Sequence, residues 1–285
     1  MNEQPNFKET YTEANNLLAN AERKADAAMS ELPKDVKEKM RKMYETEKLI
    51  DKKAGEIIDI LVNNQTTWES AAMKSIFGLV HSPLSVFPPK LGKELVQKLI
   101  SLNKWGKLTE NMRWISSTFI ISVLGEEYGK DEEKMKRENN DTTPIEPLSF
   151  VFSEGDLSGA TLDSFGLFLP EHVKITFTGN TWNSTGYKLQ GGVLIICGNT
   201  SSCTGLKMHS GIIEVRGNAG RQTGDEMFGG TLNITGEVEE FDESAFSQNQ
   251  GTIIWKGITL WNNGWTPEGL KMKKAGEIPG ISADS

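Results

Sequence analysis

The sequence holds little of the chemistry that metal centres and disulfide frameworks require. It has two cysteines, Cys197 and Cys203, and three histidines among 285 residues. Two thiols this close in sequence do not make a disulfide framework, and no four-ligand metal pattern surrounds them. The sequence therefore predicts no metal site and no cofactor, and it identifies no catalytic residue.

Long apolar runs are also missing. No run of about 18 or more apolar residues occurs, and the most apolar stretch, residues 114–124, is too short to span a bilayer. The N-terminal residues are charged from Glu3 onward and lack the apolar core of a secretory signal. These absences predict a cytoplasmic protein with no stable membrane span.

Positive charge is scarce in the second half of the chain. The whole sequence has 31 Lys and Arg against 39 Asp and Glu, a net charge of −8. Residues 1–140 carry 22 of each sign, which leaves 9 basic and 17 acidic residues from Asp141 onward. Because phosphate binding needs a basic surface, this half is not expected to bind nucleic acid.

Glycine is distributed just as unevenly, since 22 of the 28 glycines lie at or after Gly155. The shifts in glycine and in charge coincide, which predicts a domain boundary near residues 130–150. The predicted division is a helical domain (1–130), a linker (131–147), a β-helix (148–260), and a C-terminal cap and tail (261–285).

Residues 6–63 have apolar residues at intervals of three and four, as in amphipathic helices. The stripe comprises Leu17, Ala21, Ala25, Ala28, Val36, Met40, Met43, Ile50, Ala54, Ile57 and Leu61. Pro33 interrupts it, since proline is poorly tolerated inside a helix. The pattern predicts two long helices packed as a hairpin, within the chain or its oligomer; a coiled-coil partner helix is the alternative.

Three further helices are predicted, at 67–81, 91–102 and 109–127. The last is apolar around most of its circumference, which is typical of the central helix of a bundle; an exposed binding helix is the alternative. The charged residues 129–143 are expected to begin as helix and end as linker. His81, at a helix end, is interpreted as a surface or capping residue.

Three series of glycines with a common period of 19 residues organise the second half. They are Gly179, Gly198, Gly217 and Gly236; Gly186, Gly205 and Gly224; and Gly192, Gly211 and Gly230. Because one glycine series could arise by chance but three with one period could not, the stretch is a true repeat. Nineteen residues is about one coil of a small parallel β-helix and is too short for a helical repeat.

Apolar residues follow the same period. One column is Ile175, Leu194, Ile213 and Leu232, the next is Phe177, Ile196, Val215 and Ile234, and a third is Leu189, Met208 and Met227. Residues around the first two columns alternate with period two, as in strands. Stacked coils would bury these columns in one continuous core.

Structural roles are predicted for the repeat glycines, for Met208 and Met227, and for three asparagines. A short coil turns sharply, and glycine adopts positive φ without steric cost. Asn180, Asn199 and Asn218 follow the glycine that ends each strand. Asparagine tolerates left-handed geometry and can stack its amides between coils.

The repeat continues imperfectly in both directions. Phe150 and Phe152 indicate an irregular first coil, and Ile253 and Trp255 indicate a late one with two extra residues. An open solenoid end would expose apolar side chains and backbone edges. We therefore expect a cap at the far end, formed by Trp261, Trp265 and Pro267.

The most regular coil carries a recognisable motif: Gly217-Asn218-Ala219-Gly220, Gly224, Met227-Phe228-Gly229-Gly230 and Ile234-Thr235-Gly236. It resembles the glycine-repeat (GXGXG) β-helix that ends the large subunit of glutamate synthase and that forms one of the subunits of formylmethanofuran dehydrogenase. The two preceding coils depart from the motif, with Ser201 and Ser210, then Asn183 and Leu189, at motif positions. The resemblance covers about residues 148–260 and implies a right-handed β-helix.

In those enzymes the β-helix resembles a scaffold, and the catalytic centres lie in other domains or subunits. This sequence has no flavin, iron–sulfur or amidohydrolase motif. The resemblance therefore implies the fold without implying those reactions.

Remaining candidates for chemistry are sparse. Cys197 and Cys203 are predicted to lie on one coil, at a strand end and in a loop, and two ligands are not a site. His172 and His209 belong to different coils. Asp225 and Glu226 beside Arg221 are interpreted as a surface ion pair, because no pocket for acid–base work is visible.

The sequence thus predicts an α+β multidomain protein with an N-terminal helical domain followed by a right-handed parallel β-helix. The favoured function is a non-catalytic scaffold that binds a protein partner or self-assembles through its helices. One alternative is an accessory subunit of a redox or amidotransfer complex. Another is an enzyme with its site on the β-helix flank, although no ladder of Asp, Arg or Lys recurs there.

Overall fold

The structure, a computed structural model, describes residues 33–63, 87–102, 110–157, 162–247 and 250–283. The predicted helices before Pro33 and at 67–81, with the hairpin and His81, lie outside the described residues. The chain divides into two units, up to Leu49 and from Ile50 onward, and each is described by itself.

Four α-helices are described: α1 (Lys34–Asn63), α2 (Gly92–Ser101), α3 (Glu110–Glu138) and α4 (Pro267–Lys274). A short 3-10 turn, Pro89–Leu91, leads into α2. Helix α3 ends at Glu138, so the charged residues 129–143 begin as helix, as predicted, and ion pairs four residues apart support this part of the helix. Lys130 Nζ lies 2.9 Å from Glu126 Oε1, and Arg137 lies 3.6 Å from Glu133.

Seven strands form one sheet in chain order. They are β1 (Leu148–Ser153), β2 (Val173–Thr178), β3 (Gln190–Ile196), β4 (Ser210–Val215), β5 (Thr231–Ile234), β6 (Thr252–Trp255) and β7 (Ile258–Asn262). The first six pair in parallel, and β7 turns back antiparallel to β6. A sheet in which every successive strand adds one parallel neighbour is a parallel β-solenoid, as the repeat predicted.

The register confirms the predicted apolar columns. Ile175 pairs with Leu194, Leu194 with Ile213, and Ile213 with Leu232. Phe150 and Ile253 extend this column into the first and last parallel coils. The side chains at 175, 194, 213 and 232 are fully buried, as are those of Leu189, Met208 and Met227. The core therefore runs continuously along the solenoid axis.

The repeat glycines have two separate physical roles. Gly205 has a φ of +77° with ordinary room for a Cβ, so it is needed for its backbone conformation. Gly217 has no positive φ, but a Cβ there would lie 2.6 Å from the carbonyl oxygen of Gly198 on the preceding coil. The expectation that these glycines all supply positive φ is wrong, because this second group is needed for close coil stacking.

Helices close the N-terminal end of the solenoid. Residues 120–124 of α3 are buried all round the helix. The Ser122 hydroxyl donates a 2.7 Å hydrogen bond to the carbonyl of Leu167, in the first coil. Gly125 faces Val173, at the start of β2, with no room for a side chain. On α2, Gln97 and Lys93 both bind Asp156, at 2.6 and 3.3 Å.

Aromatic side chains and α4 close the other end of the solenoid. The ring of Trp265 stacks on Phe246 with centroids 4.7 Å apart, and Trp261 packs edge-on against both. Pro267 occupies the first turn of α4, and the Thr266 hydroxyl caps that helix by accepting the N–H of Gly269. With both ends covered, end-to-end stacking of solenoids is blocked.

Candidate binding groove along the asparagine ladder

Asn180, Asn199 and Asn218, here called the asparagine ladder, connect successive coils. The Oδ1 of Asn180 accepts the backbone N–H of Asn199, and the Oδ1 of Asn199 accepts that of Asn218, each at 2.8 Å. Asn218 binds the N–H of Glu237 in the same way. None of the three asparagines has a positive φ, so the expected left-handed geometry is wrong. Their position is explained by these bonds between coils.

Glu154 begins the ladder on the first coil. Its Oε1 accepts the N–H of Asn180 at 3.0 Å and so takes the place of an asparagine. A carboxylate can do this because the ladder uses only an acceptor oxygen. Sequence reasoning missed this residue, since the first coil lacks the regular spacing.

Buried threonines lie behind the ladder. Thr185, Thr204 and Thr223 recur every 19 residues, and all three are fully buried. The hydroxyls of Thr204 and Thr200 lie 2.8 Å apart, and Thr204 is also 3.1 Å from the carbonyl oxygen of Ser201. These bonds satisfy hydroxyls that would otherwise be costly to bury. The 19-residue spacing of these threonines is visible in the sequence, but the sequence analysis did not identify them.

A shallow groove of about 490 Å³ follows the ladder along the solenoid. Its lining includes the three ladder asparagines, Thr181, Thr200, Ser201, Gly220 and Glu239. Trp182 forms part of the wall and keeps 62% of its surface exposed. The groove therefore combines amide and hydroxyl groups with one exposed aromatic face, and we call it the ladder groove.

Charge at the ladder groove is arranged as ion pairs between coils. Arg221 pairs with Glu239 on the following coil, and outside the groove lining Lys207 lies 3.2 Å from Glu226. The prediction that Arg221 pairs with Asp225 or Glu226 is wrong. Stacking brings residues about one coil apart into contact, as it does for Arg221 and Glu239. At the two ends of the ladder, the Glu154 carboxylate accepts the N–H of Asn180, and the Glu237 carboxylate pairs with Lys256 at 2.7 Å.

The other predicted candidates do not come together. Cys197 and Cys203 are both free and partly buried, and burial is the main cause that raises the pKa of the Cys203 thiol. A raised thiol pKa disfavours the reactive thiolate. His172 lies 3.7 Å from Glu133 at the helical end, whereas His209 stacks on Phe228 on a later coil. These four residues therefore form no common site.

Asp225 is the one carboxyl with a raised pKa among the described residues. Burial is the main cause, followed by the negative charges of Asp242 and Glu226. Asp242 in turn accepts the N–H of Ser244 and caps a short 3-10 turn, so its role is structural. Perturbed carboxyls can mark active sites, but this one does not line the ladder groove.

Within the described ranges, no group of three His, Cys, Asp or Glu side chains is placed to hold a metal ion. No helix in the same ranges is long and apolar enough to cross a bilayer. Comparison with protein-family models, with curated proteins and with solved structures finds no match to this chain. The groove and its surroundings must therefore be interpreted from their own geometry.

Proposed function

We propose that this protein is a non-catalytic scaffold: a rigid, capped β-solenoid that self-assembles through helix α1. The observation that carries the proposal is a set of exposed apolar side chains on that helix. Met43 and Tyr44 are 71% and 62% exposed, and Met40, one turn earlier, is 43% exposed. Residues three and four apart share a helix face, so these three form one apolar surface.

Charge on the same part of α1 favours a second copy as the occupant. Residues 34–42 contain five basic and two acidic side chains, whereas residues 43–49 contain two acidic and one basic. Two copies in antiparallel orientation would place each basic half against an acidic half. Exposed ion pairs within the helix, such as Arg41 with Glu45 at 3.0 Å, contribute little and can exchange between copies.

The solenoid supports the scaffold role in a different way. Its interior columns are filled and its ends are covered, so it offers rigidity with little exposed edge. We also propose that the coils wind to the right, because parallel crossovers are right-handed in nearly all sheets. The resemblance of coil 217–236 to the glycine-repeat β-helix supports the same winding and the same scaffold role.

Light scattering coupled to size-exclusion chromatography tests self-assembly. The wild type is expected to have about twice the mass of the 31.6 kDa chain. A variant with Met43→Glu and Tyr44→Glu should fall to the mass of one chain. The control is Phe228→Glu, which alters an apolar residue with 42% exposure on the solenoid and should stay dimeric. A wild type with the mass of one chain at every concentration contradicts the proposal.

A further inference from the structure

Trp182 is a large apolar side chain left in the open beside polar groups. It is the most exposed tryptophan among the described residues. Its backbone takes part in the coil, since its N–H donates to Leu162 and its carbonyl accepts from Ser201 and from the Thr185 hydroxyl. The backbone of Trp182 is thus fixed in the coil, and its indole lies exposed on the groove wall. A positioned aromatic face beside hydrogen-bonding groups is a common arrangement in ligand sites.

The ladder asparagines present amide donors along the floor of the ladder groove. Because backbone N–H groups only donate, the amide atom in each ladder bond must be Oδ1. The Nδ2 group of each asparagine therefore takes no part in the ladder. No described residue accepts a hydrogen bond from the Nδ2 groups of Asn180, Asn199 or Asn218. Adjacent coils lie about 4.8 Å apart, so the donors form an evenly spaced row.

The chemical groups of the ladder groove favour one class of extended polymer as its ligand. A nucleic acid needs cations along its backbone, whereas the one charged residue among the described residues that line the groove is Glu239, which pairs with Arg221. A peptide bound as an added strand needs a free sheet edge, and the coil backbone here already bonds to neighbouring coils. A neutral oligosaccharide needs what is present: an aromatic face for its C–H surface, and amides and hydroxyls for its hydroxyl groups.

We propose that the ladder groove binds a neutral linear oligosaccharide, which lies along the solenoid axis with one sugar ring against Trp182. The ladder Nδ2 groups donate to its hydroxyls on successive coils, and Ser201 lines the same path. This proposal is independent of self-assembly, because the groove lies on the solenoid and not on residues 34–49.

Affinity electrophoresis in native gels that contain soluble neutral polysaccharides tests the proposal. The gels contain hydroxyethyl cellulose, glucomannan or starch, and a gel without polysaccharide gives the reference mobility. At least one polysaccharide should retard the wild type, and Trp182→Ala should weaken that retardation at least tenfold. Phe228→Ala removes another exposed aromatic residue, beside His209, and should bind as the wild type does.

A second variant, Asn199→Asp, keeps the ladder acceptor and removes the Nδ2 donor. It should melt as the wild type does and bind the same polysaccharide several-fold more weakly. Two results overturn the proposal: no retardation by any of the three polysaccharides, or equal retardation of the wild type and Trp182→Ala. Retardation of the wild type by a single-stranded oligonucleotide instead would overturn it as well.

Discussion

The coils between Gly179 and Gly236 are held together by contacts that recur every 19 residues, whereas the two ends of the solenoid are closed by contacts that occur once. In the coils, ladder bonds of 2.8 Å repeat with buried columns of the same residue types. At the ends, Ser122, Asp156 and the Phe246–Trp265 stack have no counterparts elsewhere in the described solenoid. Repeated contacts can be found from sequence periodicity, and single contacts cannot.

The largest expected loss of stability is at Phe177 on β2, in the buried core of the solenoid. Phe177 is fully buried and packs against Phe165 with ring centroids 5.0 Å apart. Phe177→Ala should lower the free energy of unfolding by about 3–5 kcal/mol, because it leaves a cavity in a continuous core. Trp265→Ala, at the partly buried end, should cost about 2 kcal/mol. Urea denaturation of both variants checks the order, and a larger loss at Trp265 would contradict it.

The next largest expected effect is a difference in stability loss between substitutions at the two kinds of repeat glycine. Gly217→Ala places a Cβ against backbone of the preceding coil, so it should cost about 3 kcal/mol through overpacking. Gly205→Ala has room and forces only a left-handed alanine, so it should cost about 1–2 kcal/mol. Thermal unfolding followed by circular dichroism measures both. Equal losses would show that close stacking is not what requires Gly217.

The asparagine ladder should contribute less. Asn199→Ala removes the acceptor for the N–H of Asn218 at an exposed corner, where water replaces part of the bond. We expect a loss of about 1 kcal/mol by urea denaturation. Asn199→Asp keeps an acceptor and serves as the matched control. If Asn199→Asp lowered the free energy of unfolding as much as Asn199→Ala does, the claim that the ladder bonds stabilise the solenoid would be contradicted.

The smallest effect is a pH dependence at Asp225. Its pKa is raised in the folded protein, mainly by burial, so its ionised form opposes folding. The penalty is present when the carboxyl is ionised and fades as the pH falls through the raised pKa toward about 4, the usual value for aspartate. Asp225→Asn should therefore raise the melting temperature at pH 7, with a gain that shrinks as the pH falls. A lower melting temperature at pH 7 would contradict this.

Much of the solenoid could be predicted from the sequence, because one coil restricts the next. The period identified the strand registers and the buried columns, whereas a cap at Trp261 and Trp265 was expected only because an open solenoid end would expose apolar side chains. The period did not distinguish glycines that adopt a positive φ, such as Gly205, from glycines that allow close approach of two coils, such as Gly217. Both kinds recur with the same spacing. The distinction depends on how closely two backbones approach, which only coordinates reveal.

The candidate groove was harder to predict than the fold. The sequence identified Asn199 as part of a repeat. It did not predict that the Oδ1 of Asn199 accepts the N–H of Asn218, which leaves Nδ2 available as a donor. Trp182 occurs in one coil only, so no periodicity marks it. The predicted ion pair of Arg221 was wrong for a related reason. Arg221 contacts Glu239 because successive coils stack, whereas proximity along the sequence indicated Asp225 or Glu226 as the partner.

The central claim is that the second half is a stack of equivalent 19-residue coils closed by separate ends. Deletion of residues 199–217 removes one whole coil and joins Gly198 to Asn218, so every column regains a neighbour of the same type. Thermal unfolding by circular dichroism should show a folded protein with one cooperative transition, whereas deletion of residues 199–208, about half a coil, should abolish it. An unfolded whole-coil deletion, or a folded half-coil deletion, would contradict the account.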